Sequence, residues 1–138
     1  MFSIFLISPK PAFAEQSGQA FVSICNRTEA VRVAIQKEVA AQRFTSGVGG
    51  AVLCQTIKAS ELNQIEYLPV IEKGISSLKS GDFEGLSGLK ILDLEGNNLA
   101  KPDASVFSGL THLETLVLAG NPLRRLDNEL CGLPNLKH

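Results

Sequence analysis

The chain has 138 residues, of which 44% are hydrophobic, 20% charged and 6% aromatic, with no tryptophan. That composition excludes an intrinsically disordered chain, and the length limits it to a single domain or a part of a larger protein. Thirteen Lys and Arg against fourteen Asp and Glu leave a net charge of −1, so there is no basic footprint for nucleic acid or anionic lipid. The two halves follow different rules: of 19 leucines, 15 lie after residue 69.

Residues 1–14 read MFSIFLISPKPAFA. A short apolar run, Phe2 to Ile7, meets a breaker zone at Ser8, Pro9 and Pro11, and then Ala12-Phe13-Ala14. Small residues at the first and third positions before a cut suit signal peptidase, which predicts cleavage after Ala14 and export. No positive residues precede the run, which leaves a start codon further upstream or a buried strand as other readings, with a disordered apolar tail as the plainest alternative to export. The run is too short to span a bilayer, which takes roughly 20 apolar residues. Loss of Lys10 with the peptide leaves 12 positive and 14 negative charges, a net of −2. An oxidising compartment makes Cys25 and Cys54 candidates for a disulfide; in a reducing one they are two free thiols.

Residues 15–64 read as a separate, helical section. The stretch Thr28 to Gln42 predicts a helix: Thr28 supplies an N-cap oxygen, Glu29 suits the first turn, and Val31, Ile35 and Val39 with Ala34 form one apolar stripe. Thr45 to Gly50 (TSGVGG) reads as a loop, and a second short helix is expected around Ser60 to Gln64.

From residue 65 the sequence repeats itself. Leu89, Leu92, Leu94, Asn97 and Leu99 return 24 residues later as Leu113, Leu116, Leu118, Asn121 and Leu123. Phe83-Glu-Gly-Leu86 returns likewise as Phe107-Ser-Gly-Leu110. A weaker copy has Ile65, Leu68, Val70 and Ile75 at the matching offsets, with Lys73 in the Asn position. A partial copy at Leu126, Leu130, Leu133 and Leu136 shortens the spacing to 23. Alternation turns Leu92 and Leu94 into a core and Ile91, Asp93 and Glu95 away from it. The Asn side chain is expected to satisfy the backbone groups of the following turn, and Phe83 and Phe107 to fill the far side of the core.

This pattern, LxxLxLxxNxL in a 24-residue unit, resembles the leucine-rich repeat of the typical extracellular kind. The resemblance covers residues 65–138, about three units with the last incomplete. It implies an α/β solenoid, a short right-handed horseshoe whose parallel strands line a concave face. Residues 15–64 resemble the N-terminal helical cap of bacterial secreted leucine-rich repeat proteins, on Cys25, Arg27, Thr28 and Cys54. A cap is what an open-ended repeat core requires. A Cys25–Cys54 bridge would stabilise the fold by roughly 3–4 kcal/mol in the chain-entropy model. Cys131 is expected to be a small core residue or to pair with a cysteine outside this sequence.

Chemistry finds little support. His112 sits in a polar loop, no metal-ligand spacing occurs, and no glycine loop precedes a Lys-Ser/Thr, so no catalytic residue, metal or cofactor is expected. The concave positions instead describe a binding surface: Tyr67, Pro69 and Ile71, then Ile91, Asp93 and Glu95, then Thr115, Val117 and Ala119. One aromatic, an apolar row and an acidic pair suit a protein ligand with a basic spot. The function expected is that of a secreted or envelope-exposed protein-binding module. The alternative is the recognition arm of a longer protein, whose catalytic or anchoring part lies beyond residue 138.

Overall fold

A computed structural model describes residues 20–47, 51–124, 130 and 132–138. The expected signal segment at 1–14, most of the TSGVGG glycines, Leu126 and Cys131 lie outside the described residues.

Strand β1 (Phe21–Val22) pairs antiparallel with β2 (Ile57–Lys58), a ribbon too short to leave a readable alternation. Between them runs helix α1 (Glu29–Thr45), which buries Val31, Ile35 and Val39 completely. Spacing of four residues puts these three on one stripe, which Ala30 and Ala34 flank as partly buried neighbours of the core. The helix extends three residues past the expected Gln42 end. Arg43 holds that last turn, donating to Glu61 through Nε at 2.8 Å and to the Thr56 carbonyl through Nη2 at 2.7 Å.

Thr28 does not cap the helix as expected. Its side chain makes no capping bond, and its hydroxyl donates to Asp82 Oδ2 at 2.6 Å instead. A helix N-terminus offers donors, whereas the buried Asp82 carboxylate is a charged acceptor for the hydroxyl proton. That bond fixes the rotamer with the oxygen away from the N–H groups of the first turn. Helix α2 (Ala59–Asn63) begins one residue before the expected start, where the Glu61 carboxylate accepts the Lys58 N–H at 2.7 Å. Cys25 and Cys54 are bridged, with their Cα atoms 5.0 Å apart.

The repeats form a parallel three-stranded sheet, β3 (Tyr67–Pro69), β4 (Ile91–Asp93) and β5 (Thr115–Val117). Pairing keeps the 24-residue period, with Leu68 beside Leu92 and Leu92 beside Leu116. Those three leucines are buried, as are Val70 and Leu94 two residues further on. On the far side of the core the Phe83 and Phe107 rings stack with centroids 6.0 Å apart. α1 contributes to this same core through Val31, Ile35 and Val39.

The shortened last unit keeps the ladder. Lys137 and His138 donate their N–H groups to the Glu114 carbonyl, as Lys90 and Ile91 do to Glu66, and Glu114 and Thr115 to Lys90. Leu130 takes the place of Phe107: Leu133 N–H bonds the Leu130 carbonyl as Leu110 N–H bonds that of Phe107.

Asparagine side chains close the turns. Asn97 Nδ2 donates to the carbonyls of Val70 at 2.7 Å and Leu94 at 2.9 Å, while its Oδ1 accepts from the Lys73 and Ile75 N–H groups. Asn121 repeats this one unit on, donating to Leu94 and Leu118 and accepting from Leu99. Each amide therefore serves its own turn and the preceding one. That explains how the first unit tolerates Lys73 in the Asn position: Asn97 reaches back to it. The same turns need a left-handed residue, Gly96 and Gly120 in two units but Glu72, at φ 52°, in the first. Gly96 also makes room for Glu72, since a Cβ there would lie 2.8 Å from the Glu72 Cγ.

Gly88 is required by a close approach. A Cβ at this position would lie 2.0 Å from the carbonyl oxygen of Asn63, the last residue of α2. Gly109 has nothing within 4 Å. Gly88→Ala is therefore expected to lower stability by about 2–3 kcal/mol in urea unfolding, and Gly109→Ala by under about 0.5 kcal/mol. Equal effects would contradict this packing.

Candidate protein-binding surface

The β pleat turns Leu68, Leu92 and Leu116 inward and their neighbours outward. Tyr67, Ile91 and Thr115 share one row across the sheet, and Pro69, Asp93 and Val117 share the next. Hydrogen bonds from Glu72 N–H to the Glu95 carbonyl and from Gly96 N–H to the Ala119 carbonyl carry the register onward, setting Ile71, Glu95 and Ala119 in a third row. All nine expected residues thus share one side of the sheet. Tyr67 is 45% and Ile91 39% exposed, large apolar surface for a strand pair this short. Asp93 Oδ1 accepts the Glu95 N–H at 3.1 Å, which steadies the acidic pair.

A charged row borders this face at the strand starts. Lys90 Nζ lies 2.8 Å from Glu66, and Lys137 Nζ lies 2.8 Å from Glu114. The four residues recur at nearly one repeat spacing, so opposite charges sit on adjacent strands. Exposed pairs like these are screened by solvent and add little to stability. Among the described residues, Asp93 and Glu95 form no ion pair.

The position of α1 beside β3 depends on a buried polar cluster. Asp82 is fully buried and accepts from the Thr28 N–H and hydroxyl at 2.6 Å each and from the Lys79 N–H at 2.7 Å. Arg27, 8% exposed, lays its guanidinium on the carbonyls of Asp82 and Glu84. Burial pushes the Arg27 guanidinium below its usual value, against the pull of the Asp82 and Glu84 charges. Asp82 carried no weight in the sequence reading, yet a signal was there: its repeat mate 24 residues on is Val106, a core residue. A carboxylate in a slot that the next unit fills with valine needs a dedicated partner.

His112 is exposed, its Nδ1 2.8 Å from the Ser87 carbonyl. Among the described residues no group of three His, Cys, Asp or Glu could hold a metal, and no helix is long and apolar enough to cross a membrane.

A leucine-rich repeat family model matches residues 63–123 and 87–138. Together these cover more than half the sequence, and the chain belongs to the leucine-rich repeat family. Its fold is similar to that of internalin C2 from Listeria monocytogenes, with 22% identity and a TM-score of 0.64 over 90% of this chain. A second internalin of that organism, inlF, gives 24% identity and a TM-score of 0.56 over 79% of this chain. The matches span 49% and 28% of those two chains. No curated protein matches the sequence. The family and fold are those of protein–protein interaction modules.

Two outcomes follow from the polar clusters. Asp82→Ala strands three donors and removes one of the two negative charges that offset the burial of Arg27, so stability should fall by about 3–5 kcal/mol in chemical denaturation. A loss under about 1 kcal/mol would refute the role given to this carboxylate.

The second concerns Glu61, whose carboxyl is held below its usual range first by the Arg43 hydrogen bond and further by the Lys58 N–H. A carboxyl lowered in the folded state stabilises fully above its unfolded value, about 4.3, and loses that contribution as pH falls through the folded value. Unfolding midpoints should therefore drop on acidification below about pH 4.3, with a shallower drop in Glu61→Gln. Identical slopes would remove Glu61 from the account.

Proposed function

We propose that this chain is an exported recognition module: a short leucine-rich repeat horseshoe with a helical N-terminal cap, binding another protein on its concave face. The observation that carries the reading is the outward row arrangement of Tyr67, Pro69, Ile71, Ile91, Asp93, Glu95, Thr115, Val117 and Ala119 above an independent leucine core. Substitution on that side leaves core packing untouched, so the surface is free to be shaped by a partner. Rigid strands hold these side chains before any partner arrives, which limits the ordering cost of binding. The Cys25–Cys54 bridge and the processing pattern of residues 1–14 support export. An intact mass of the native product, starting at Glu15 and short by two hydrogens, would fit that route; a reduced chain retaining residues 1–14 would oppose it.

The binding test is charge reversal. Asp93→Lys with Glu95→Lys should abolish capture of the host partner that the wild type retains, with circular dichroism unchanged. Unaltered capture would sink the concave-face assignment.

A further inference from the structure

The buried stripe of α1 leaves an unusual opposite side. Val33 is 52% exposed, although it stands in the middle of the helix. Beside it, Ala30 and Ala34 face Pro69 and Ile71 of the first repeat across an open groove of about 640 Å³. That size falls within the roughly 300–1,000 Å³ of sites that enclose a ligand. Small helix residues create the space, and apolar ones make its walls.

The groove is continuous with the sheet face. Pro69, on its wall, pairs with Asp93 on the adjacent strand, and neighbouring strands lie about 4.8 Å apart. The acidic pair Asp93 and Glu95 therefore begins one strand away from the apolar wall. Around the groove and that strand, Glu29 and Glu38 with Asp93 and Glu95 outweigh Lys37 and Lys73. The local field favours a positive visitor.

We propose that the groove between α1 and β3 is the anchor half of the recognition face, taking an apolar side chain from a partner protein segment that carries a lysine or arginine within a residue or two of it. The inference rests on the concave-face reading and adds to it: α1 is part of the binding site as well as of the core. The anchor supplies buried area, and the basic neighbour reaches Asp93 and Glu95. Such a division is usual where one desolvated pocket is flanked by charges.

The test uses the full-length chain, with the Cys25–Cys54 bridge intact, as bait for a displayed library of random dodecapeptides. Affinities of the selected peptides are then measured for wild type, Val33→Arg, Val33→Ser and the Asp93→Lys/Glu95→Lys variant, with urea midpoints to establish folding. Selected sequences should join an apolar residue to a neighbouring Lys or Arg. Val33→Arg and the double charge reversal should each weaken them about tenfold or more, and Val33→Ser less. Wild-type affinity in Val33→Arg, with loss in the charge reversal, would remove the groove and leave the concave face standing. Wild-type affinity in both would remove both. Failure to select any peptide, or selection without the apolar–basic pairing, would also overturn the proposal.

Discussion

One buried carboxylate determines how the two parts of this molecule meet. Asp82 belongs to the connecting segment after the first repeat strand, and it spends its acceptor sites on Thr28, the residue that opens α1. A carboxylate with no exposure is costly unless its oxygens are filled. Here the helix start and the Lys79 N–H fill them, and the Arg27 guanidinium lies on the Asp82 carbonyl. The cost of burial thus becomes a constraint on geometry: Asp82 is satisfied only when α1 starts at that point. The nearby Cys25–Cys54 bridge restricts the same segment covalently. α1 is then directed along β3, where it completes the core and borders the exposed face.

Beyond that junction the structure is periodic, and its energetics divide by side. Leucines at the inward positions and the stacked Phe83 and Phe107 rings supply the apolar burial. Asn97 and Asn121 satisfy the turns between units, each spanning two of them. Neither group appears on the outward face. Selection can alter Tyr67, Ile91 or Asp93 without disturbing leucine packing or the asparagine bonds, which is the physical basis of recognition by repeats of this kind.

Where periodicity governed, the sequence was legible. The 24-residue return of Leu92, Leu94 and Asn97 located β4 and β5, their inward residues and the asparagine bonding. The weaker copy at Leu68 and Val70 located β3. What escaped has no period. The β1–β2 ribbon consists of two-residue strands, too short for alternation to register. Thr28 has the composition of an N-cap, but a residue 54 positions away competes for its hydroxyl. Arg43 and Glu61 likewise meet across 18 positions, and their pairing carries α1 past Gln42. The groove beside Val33 was invisible for the same reason: helical spacing identifies the buried stripe, while the significance of the opposite side depends on which strand lies next to it.

Because α1 and the repeat sheet share one hydrophobic core, they should open as one cooperative body. Native-state hydrogen exchange tests this directly, because amides that open together share an opening free energy and a denaturant slope. The amides around Val31, Ile35 and Val39 and those of Leu68, Leu92 and Val70 are predicted to converge on a single opening free energy as denaturant rises. Exchange of the α1 amides through a separate opening of lower energy, with the sheet still protected, would contradict it.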